Sequence, residues 1–255
     1  MRSLQDLSSL PIYFDEKDTI LTIGEEVLLD ERERISLKSL IPGLLNKALI
    51  YPVEVYEEHR NLRYAHDDEK IGRNITYDIL FLPEGLLGIE YIKSHIYYSP
   101  NGNSPGITST IIEVIMGSIT IFLQKNATRG ELDFETTVED VIIIDAREGE
   151  KVVLPKGYFY TFINTSESPV IISRVYRNKG IADYVSLKKE QGLSYFCIRK
   201  NARREFVKNP KYIIKKELEE KTSESTLCDT CLTSDKPLYN QLVEQTNEFL
   251  DMLWN

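Results

Sequence analysis

The 255-residue chain is 42% hydrophobic and 10% aromatic, enough apolar surface to bury one sizeable core, which excludes a disordered chain. Forty acidic against 31 basic residues leave a net charge of -9, so the chain repels phosphate backbones and anionic lipid, and neither DNA nor RNA is expected as a partner. Met1 to Leu10 hold no apolar run of signal-peptide length, and no stretch approaches the roughly 20 apolar residues of a membrane span, so a cytoplasmic protein without a membrane partner is expected. On that expectation the sequons at Asn74, Asn126 and Asn164 are coincidental.

Taken in chain order, residues 1–48 read as an N-terminal arm. Its second half, EEVLLDERERISLKSLIPGLLNKA over 25–48, mixes charge with Leu and Ile at helical and turn-like spacings, broken by Pro42-Gly43, and predicts a short helical arm. From Tyr51 the pattern turns to period two and to β-branched runs. Strands are expected over 50–57, 75–82, 87–93, 109–116, 118–124, 139–144, 150–154, 158–164, 169–176 and 193–199. Turn chemistry separates them: Pro83-Glu84-Gly85, Ser99 to Asn103, Gly117-Ser118, Arg147 to Glu150 and Ser166 to Pro169. Many short strands with no intervening helices predict an all-β sandwich or barrel over 49–213.

Beyond Tyr212 comes a charged, helix-like stretch (IIKKELEEK) and a Ser/Thr-rich acidic linker, together 214–236. Residues 237–255 read as an amphipathic helix, with Pro237 suited to its first turn and Leu238, Leu242, Phe249, Leu250 and Leu253 as the apolar stripe. That stripe is read as a clamp onto the same protein or a dimer mate, with recognition of a partner as the alternative. The cysteines Cys197, Cys228 and Cys231 make no disulfide framework. Cys228 and Cys231 have the spacing of a zinc half-site, but zinc needs further ligands and no second pair exists in the chain, so ordinary thiols or a local disulfide are expected, with a zinc site completed by a symmetry mate as the alternative.

Three segments carry a family likeness: IKSHIYY from Ile92, IIEVIMGSITIFLQ from Ile111 and VIIIDAREGEKVVLPKGYFYTFIN ending at Asn164. Their order resembles that of the archaeal cupin-type glucose-6-phosphate isomerases, which have a T-x-G-H-x-H strand, an E-x-Y-x-x-x-x-G strand and turn, and a P-x-x-x-x-H-x-x-x-N strand. VEVYEEH from Val53 is similar to the family's lead-in strand, and YRNKGIADY, from Tyr176 to Tyr184, matches in length a segment ending there in His-Asp-Tyr. The likeness spans roughly residues 20 to 213. It implies a cupin barrel, that is, a jelly roll or double-stranded β-helix, carrying the N-terminal helical arm and the C-terminal helix. It further implies a sugar-phosphate substrate, an isomerase of glycolysis and gluconeogenesis, and a homodimer.

The resemblance also implies a divalent metal, iron, nickel, manganese or zinc, held by two His, a Glu and a third His. At those positions this sequence has His95, Tyr97, Thr110 and Tyr160. Phenol and alcohol are neutral near pH 7 and poor ligands beside imidazole and carboxylate, so no metal is expected. The missing Glu is also the family's candidate acid/base; Glu113 is near in sequence but three residues along a strand, on the opposite face from Thr110 unless a bulge intervenes. Ile92 and Ser94 replace the Thr and Gly of the family's T-x-G-H, an insertion with Pro100, Asn101, Gly102 and Pro105 follows, and Ala182 stands where the family has His. Tyr176 and Tyr184 match substrate-side tyrosines. The expected ligand-binding set is therefore His95, Tyr97, Thr110, Tyr160, Tyr176 and Tyr184, with His95 and Glu113 as catalytic candidates. Three functions follow: a metal-site-degenerate, noncatalytic pseudoenzyme acting as a binding, regulatory or assembly subunit; an isomerase with a rearranged site; or a scaffold acting through the C-terminal helix.

Overall fold

The computed structural model describes residues 1–71, 75–99, 109–127, 137–177, 192–227, 232–233 and 235–248. Ten strands build the centre: β1 (Glu31–Ser36), β2 (Glu54–Arg60), β3 (Ile75–Leu82), β4 (Tyr97–Ser99), β5 (Thr110–Met116), β6 (Ser118–Asn126), β7 (Thr137–Arg147), β8 (Lys151–Leu154), β9 (Tyr158–Ile163) and β10 (Val170–Arg177). One sheet has the order β8-β5-β10-β3-β2-β1 and the other β4-β9-β6-β7, extended by short parallel strands at Ile213–Ile214 and Glu219–Thr222 along β7. Taken from β3 to β10, the eight central strands form two four-stranded sheets, β8-β5-β10-β3 and β4-β9-β6-β7, in the order of a jelly roll, with the chain changing sheet at every step except the β6–β7 hairpin, so the all-β cupin architecture follows from strand order.

Alternation of side chains along each strand sorts the residues onto faces. Ile112, Val114, Leu80, Leu82 and Ile172 of one sheet meet Ile121, Leu123, Ile142, Ile144 and Phe162 of the other in the interior core. The outer face of the β5-β10-β3 sheet buries Tyr77, Ile79, Ile111, Ile115 and Ile171 beneath an N-terminal three-stranded sheet, with Leu4, Ile12, Phe14 and Leu21, and beneath Leu238, Tyr239 and Leu242 of the C-terminal helix, Leu238–Glu244. Phe122, Val141 and Ile143, on the outer face of the second sheet, are covered by Leu193, Tyr195 and Tyr212. Among the described residues no helix is long and apolar enough to cross a membrane.

Turn chemistry places the joints. Gly117, between β5 and β6, has φ +84°, and a Cβ there would lie 2.8 Å from the carbonyl oxygen of Pro169, so only glycine fits without displacement. The buried Asn164 amide donates to the carbonyls of Pro83 and Ser168, both at 2.9 Å, which ties the β9–β10 turn to the end of β3.

Two expected helices are corrected. Over 25–48 the chain forms strand β1, and helix is confined to Leu37–Leu40 with a 3-10 turn at Ile41–Gly43. ERERIS favours helix locally, but its backbone pairs antiparallel with β2, and this edge pairing overrides propensity. IIKKELEEK likewise supplies the two parallel strands on β7, held by Lys216, whose ammonium lies 2.9 Å from both Asp140 and Glu219. The C-terminal stripe is turned inward for Leu238 and Leu242, both fully buried. Phe249, Leu250, Leu253, Cys228 and Cys231 lie outside the described residues.

Candidate functional site

The positions singled out by the family pattern converge inside the barrel. Tyr97 and Tyr160 are register partners on β4 and β9, and their rings stack with centroids 5.4 Å apart. The Tyr160 hydroxyl lies 3.2 Å from the Thr110 hydroxyl of β5. His95, in the segment leading into β4, joins them through Tyr56 of β2: the Tyr56 hydroxyl is 3.0 Å from His95 Nδ1 and 3.2 Å from the Tyr97 hydroxyl. His95 Nε2 lies 3.1 Å from the hydroxyl of Ser39, on the short helix after β1. Tyr176, on β10, borders the same cluster. Tyr184 and Ala182 lie outside the described residues.

At the centre sits a set of charges that family spacing did not reveal. Glu58, inward on β2, accepts hydrogen bonds from the Tyr56 hydroxyl at 3.0 Å, from the Tyr97 hydroxyl and from Arg60 Nε at 3.2 Å. Asp78 of β3 and Arg174 of β10 stand directly opposite each other in the sheet, and Arg174 Nη2 donates to Asp78 Oδ2 at 2.7 Å. The same nitrogen lies 3.9 Å from Glu58 Oε2. The guanidinium carbon packs 4.2 Å from the Tyr97 ring centroid and 4.8 Å from that of Tyr176, both cation–π contacts. One signal in the sequence marks these residues: single charges, Asp78 in ITYDILFL and Arg174 in VIISRVY, interrupt runs that are otherwise core.

Burial and charge set the proton affinities. Burial alone would raise Glu58, but Arg174, the Tyr97 hydroxyl and Arg60 outweigh it and hold the carboxyl below its ordinary value. For Asp78 burial wins over the pull of Arg174, and its affinity for a proton is raised. Burial works against the charge on Arg174, yet Tyr97, Asp78, Tyr176 and Glu58 keep it firmly protonated. Tyr56 is raised by burial and by the Glu58 charge, Tyr160 and Tyr176 chiefly by burial, so all three phenols stay neutral.

The described donors do not fit a divalent ion. One imidazole stands with two phenols and an alcohol; the imidazole is engaged by Tyr56 and Ser39, the Tyr97 hydroxyl is given to Glu58, and Thr110 and Tyr160 satisfy each other. A guanidinium, itself a cation, lies over the Tyr97 ring. Among the described residues no group of three or more His, Cys, Asp or Glu side chains is gathered as a metal site requires.

Glu113 is placed elsewhere. Its side chain leaves β5 on the outer face, where Lys151 Nζ lies 2.9 Å away and the backbone N–H of Leu238 donates at 2.8 Å. The irregularity in the β5–β10 ladder falls between Val114 and Met116, past Glu113, which keeps its register opposite Ser173 and so does not turn inward.

Fold and site together define a jelly-roll protein of the cupin class whose interior polar cluster is built from tyrosines and an arginine–carboxylate set. The family model for glucose-6-phosphate isomerase matches residues 37–215, and the chain belongs to that family. No curated protein matches it. Solved structures similar to parts of it include Bacillus subtilis oxalate decarboxylase, a protein with Mn(II) centres, at 12% identity and a TM-score of 0.34 over 52% of this chain and 28% of that one. Lactobacillus farciminis oxalate decarboxylase in complex with formate is similar at 12% identity and TM-score 0.34, over 52% of this chain and 31% of that one. The matched region is thus under a third of the length of either oxalate decarboxylase, and a likeness this shallow says nothing of activity.

Proposed function

We propose that this chain is a metal-site-degenerate member of the glucose-6-phosphate isomerase family: a cytoplasmic, homodimeric, noncatalytic subunit that binds a sugar phosphate or related small molecule, or serves regulation or assembly. The observation that carries this reading is the content of the barrel interior, where Tyr97, Thr110 and Tyr160 occupy ligand positions and Glu58, Arg174 and Asp78 satisfy one another. A cupin isomerase that works through a divalent ion needs donors that these side chains do not offer. Purified protein is expected to give no interconversion of glucose 6-phosphate and fructose 6-phosphate above a blank, with or without added Mn²⁺, Fe²⁺, Ni²⁺ or Zn²⁺. Turnover abolished by a chelator overturns the reading.

One arrangement favours a second reading, an isomerase with a rearranged site. Ser39, His95, Tyr56 and Glu58 form a continuous chain of hydrogen-bonding groups from an exposed hydroxyl to a buried carboxylate, with links of 3.1, 3.0 and 3.0 Å. Such a chain suits the acid/base transfer of a proton between C1 and C2 of a sugar. Chelator-resistant turnover that is lost in His95→Ala supports this reading; no turnover across sugar phosphates removes it. A scaffold acting through the C-terminal helix has less support, since Leu238, Tyr239 and Leu242 are already buried against the chain's own sheet.

A further inference from the structure

We propose that Arg174 is a built-in cation seated between Glu58 and Asp78, and that this covalently attached charge, in place of any ion from solution, neutralises the interior of the barrel. The reading goes beyond the functional proposal and holds whether or not the protein turns over a sugar.

Glu58 and Asp78 lie on adjacent strands of one sheet and are 1% and 0% exposed. Glu58 is register partner of Leu80, which makes Asp78 its diagonal neighbour on the same face. Two carboxylates so placed and so dry repel one another, and each raises the cost of ionising the other. Folding them as a pair requires a proton or a cation between them.

Arg174 supplies the cation from the third strand, β10. It is 4% exposed, directly opposite Asp78, and one of its nitrogens faces both carboxylates, at 2.7 and 3.9 Å. The rings of Tyr97 and Tyr176 lie against the guanidinium, with its carbon 4.2 and 4.8 Å from their centroids, and cover the charge with the negative side of the rings. Arg60 completes the balance from the side, reaching Glu58 at 3.2 Å while its other nitrogens contact Glu31 and Glu33 near the surface. A delocalised, always-charged fork suits this seat; a lysine would give a point charge without the stacking.

A consequence separates this arrangement from an ordinary buried ion pair. With the guanidinium removed, the two carboxylates and the Tyr97 hydroxyl remain around a vacated, acidic seat, and that seat admits a small divalent cation. The wild-type barrel is indifferent to divalent ions, and the variant becomes responsive to them.

The test uses the full chain. Thermal unfolding of the wild type and of Arg174→Ala is followed in EDTA and in millimolar MnCl₂, and Mn²⁺ binding is measured by equilibrium dialysis. The wild type is expected to melt at the same temperature in both media and to bind no Mn²⁺, while Arg174→Ala melts lower in EDTA and gains about 5 °C or more with Mn²⁺, taking up one ion per chain. Loss of wild-type stability in EDTA, or an Arg174→Ala variant that neither binds Mn²⁺ nor shifts with it, overturns the proposal. Should Arg174→Ala not fold, the variant carrying Glu58→Gln and Asp78→Asn as well decides: it is expected to fold in EDTA and ignore Mn²⁺, and its failure to fold, or Mn²⁺ binding by it, refutes the seat. None of these readouts involves isomerase turnover, so the functional reading and this one fail separately.

Discussion

Replacing Glu113 by alanine tests how the C-terminal segment is attached to the barrel. Glu113 and Lys151 have side-chain exposures of 4% and 1% and sit 2.9 Å apart on the outer sheet face. Deleting the carboxylate strands a buried ammonium, a loss of about 3–5 kcal/mol, and frees the Leu238 N–H that it accepts at 2.8 Å, for about 1 kcal/mol more. We expect Glu113→Ala to unfold about 4 kcal/mol more easily in urea, with a melting point lower by roughly 10 °C for a chain of this size. A protease of broad specificity such as subtilisin should cleave within residues 222–236 faster than in the wild type, because the first turn of the terminal helix has lost its acceptor. The double variant Glu113→Leu with Lys151→Met removes both charges and keeps the volume, and should recover to within about 2 kcal/mol of the wild type. Circular dichroism across a urea series reads both. A single variant costing less than about 1 kcal/mol, or a double variant as weak as the single one, refutes the buried-pair reasoning. Glu113→Gln adds a contrast: an isomerase base would lose turnover with stability intact, whereas a structural anchor loses stability.

Two further outcomes follow from the geometry. Glu57, on the outer side of β2, is lowered to about 2 by His59 and Arg32, which outweigh its partial burial. Its folded affinity for a proton is therefore below the unfolded one, so its contribution is full above the ordinary value of 4.5 and disappears as pH falls from there toward about 2. Glu57→Gln should thus flatten the loss of urea stability over that acid window, and an unchanged slope excludes the assignment. Gly117→Ala places a Cβ 2.8 Å from the Pro169 carbonyl at φ +84°, and should cost about 2 kcal/mol; a neutral result in thermal unfolding means that the turn relaxes freely.

The central strands were legible because each is an apolar, β-branched run closed by a Gly, Pro or Asn turn. The stretch 75–82 was expected and is found at Ile75–Leu82, and 109–116 is found at Thr110–Met116. Glu31–Ser36 was not legible, since Glu and Arg favour helix locally and the strand exists only because β2, some twenty residues later, offers an edge. The convergence of His95, Tyr97, Thr110 and Tyr160 could be anticipated from the order of motifs. Tyr56 as the link between His95 and Glu58 could not, because it depends on how β2 lies against the segment entering β4.

By itself the sequence pointed to an all-β protein of the isomerase family, and on the family likeness it set His95 beside phenols and an alcohol at Tyr97, Tyr160 and Thr110, for both readings rest on local pattern and residue type. Only the tertiary structure decided what surrounds them. Asp78 and Arg174 are 96 positions apart, and a charge in an apolar run has no partner until strand register supplies one. Register is set by the packing of whole sheets, which brings a guanidinium onto two carboxylates and turns Glu113 away from all of them.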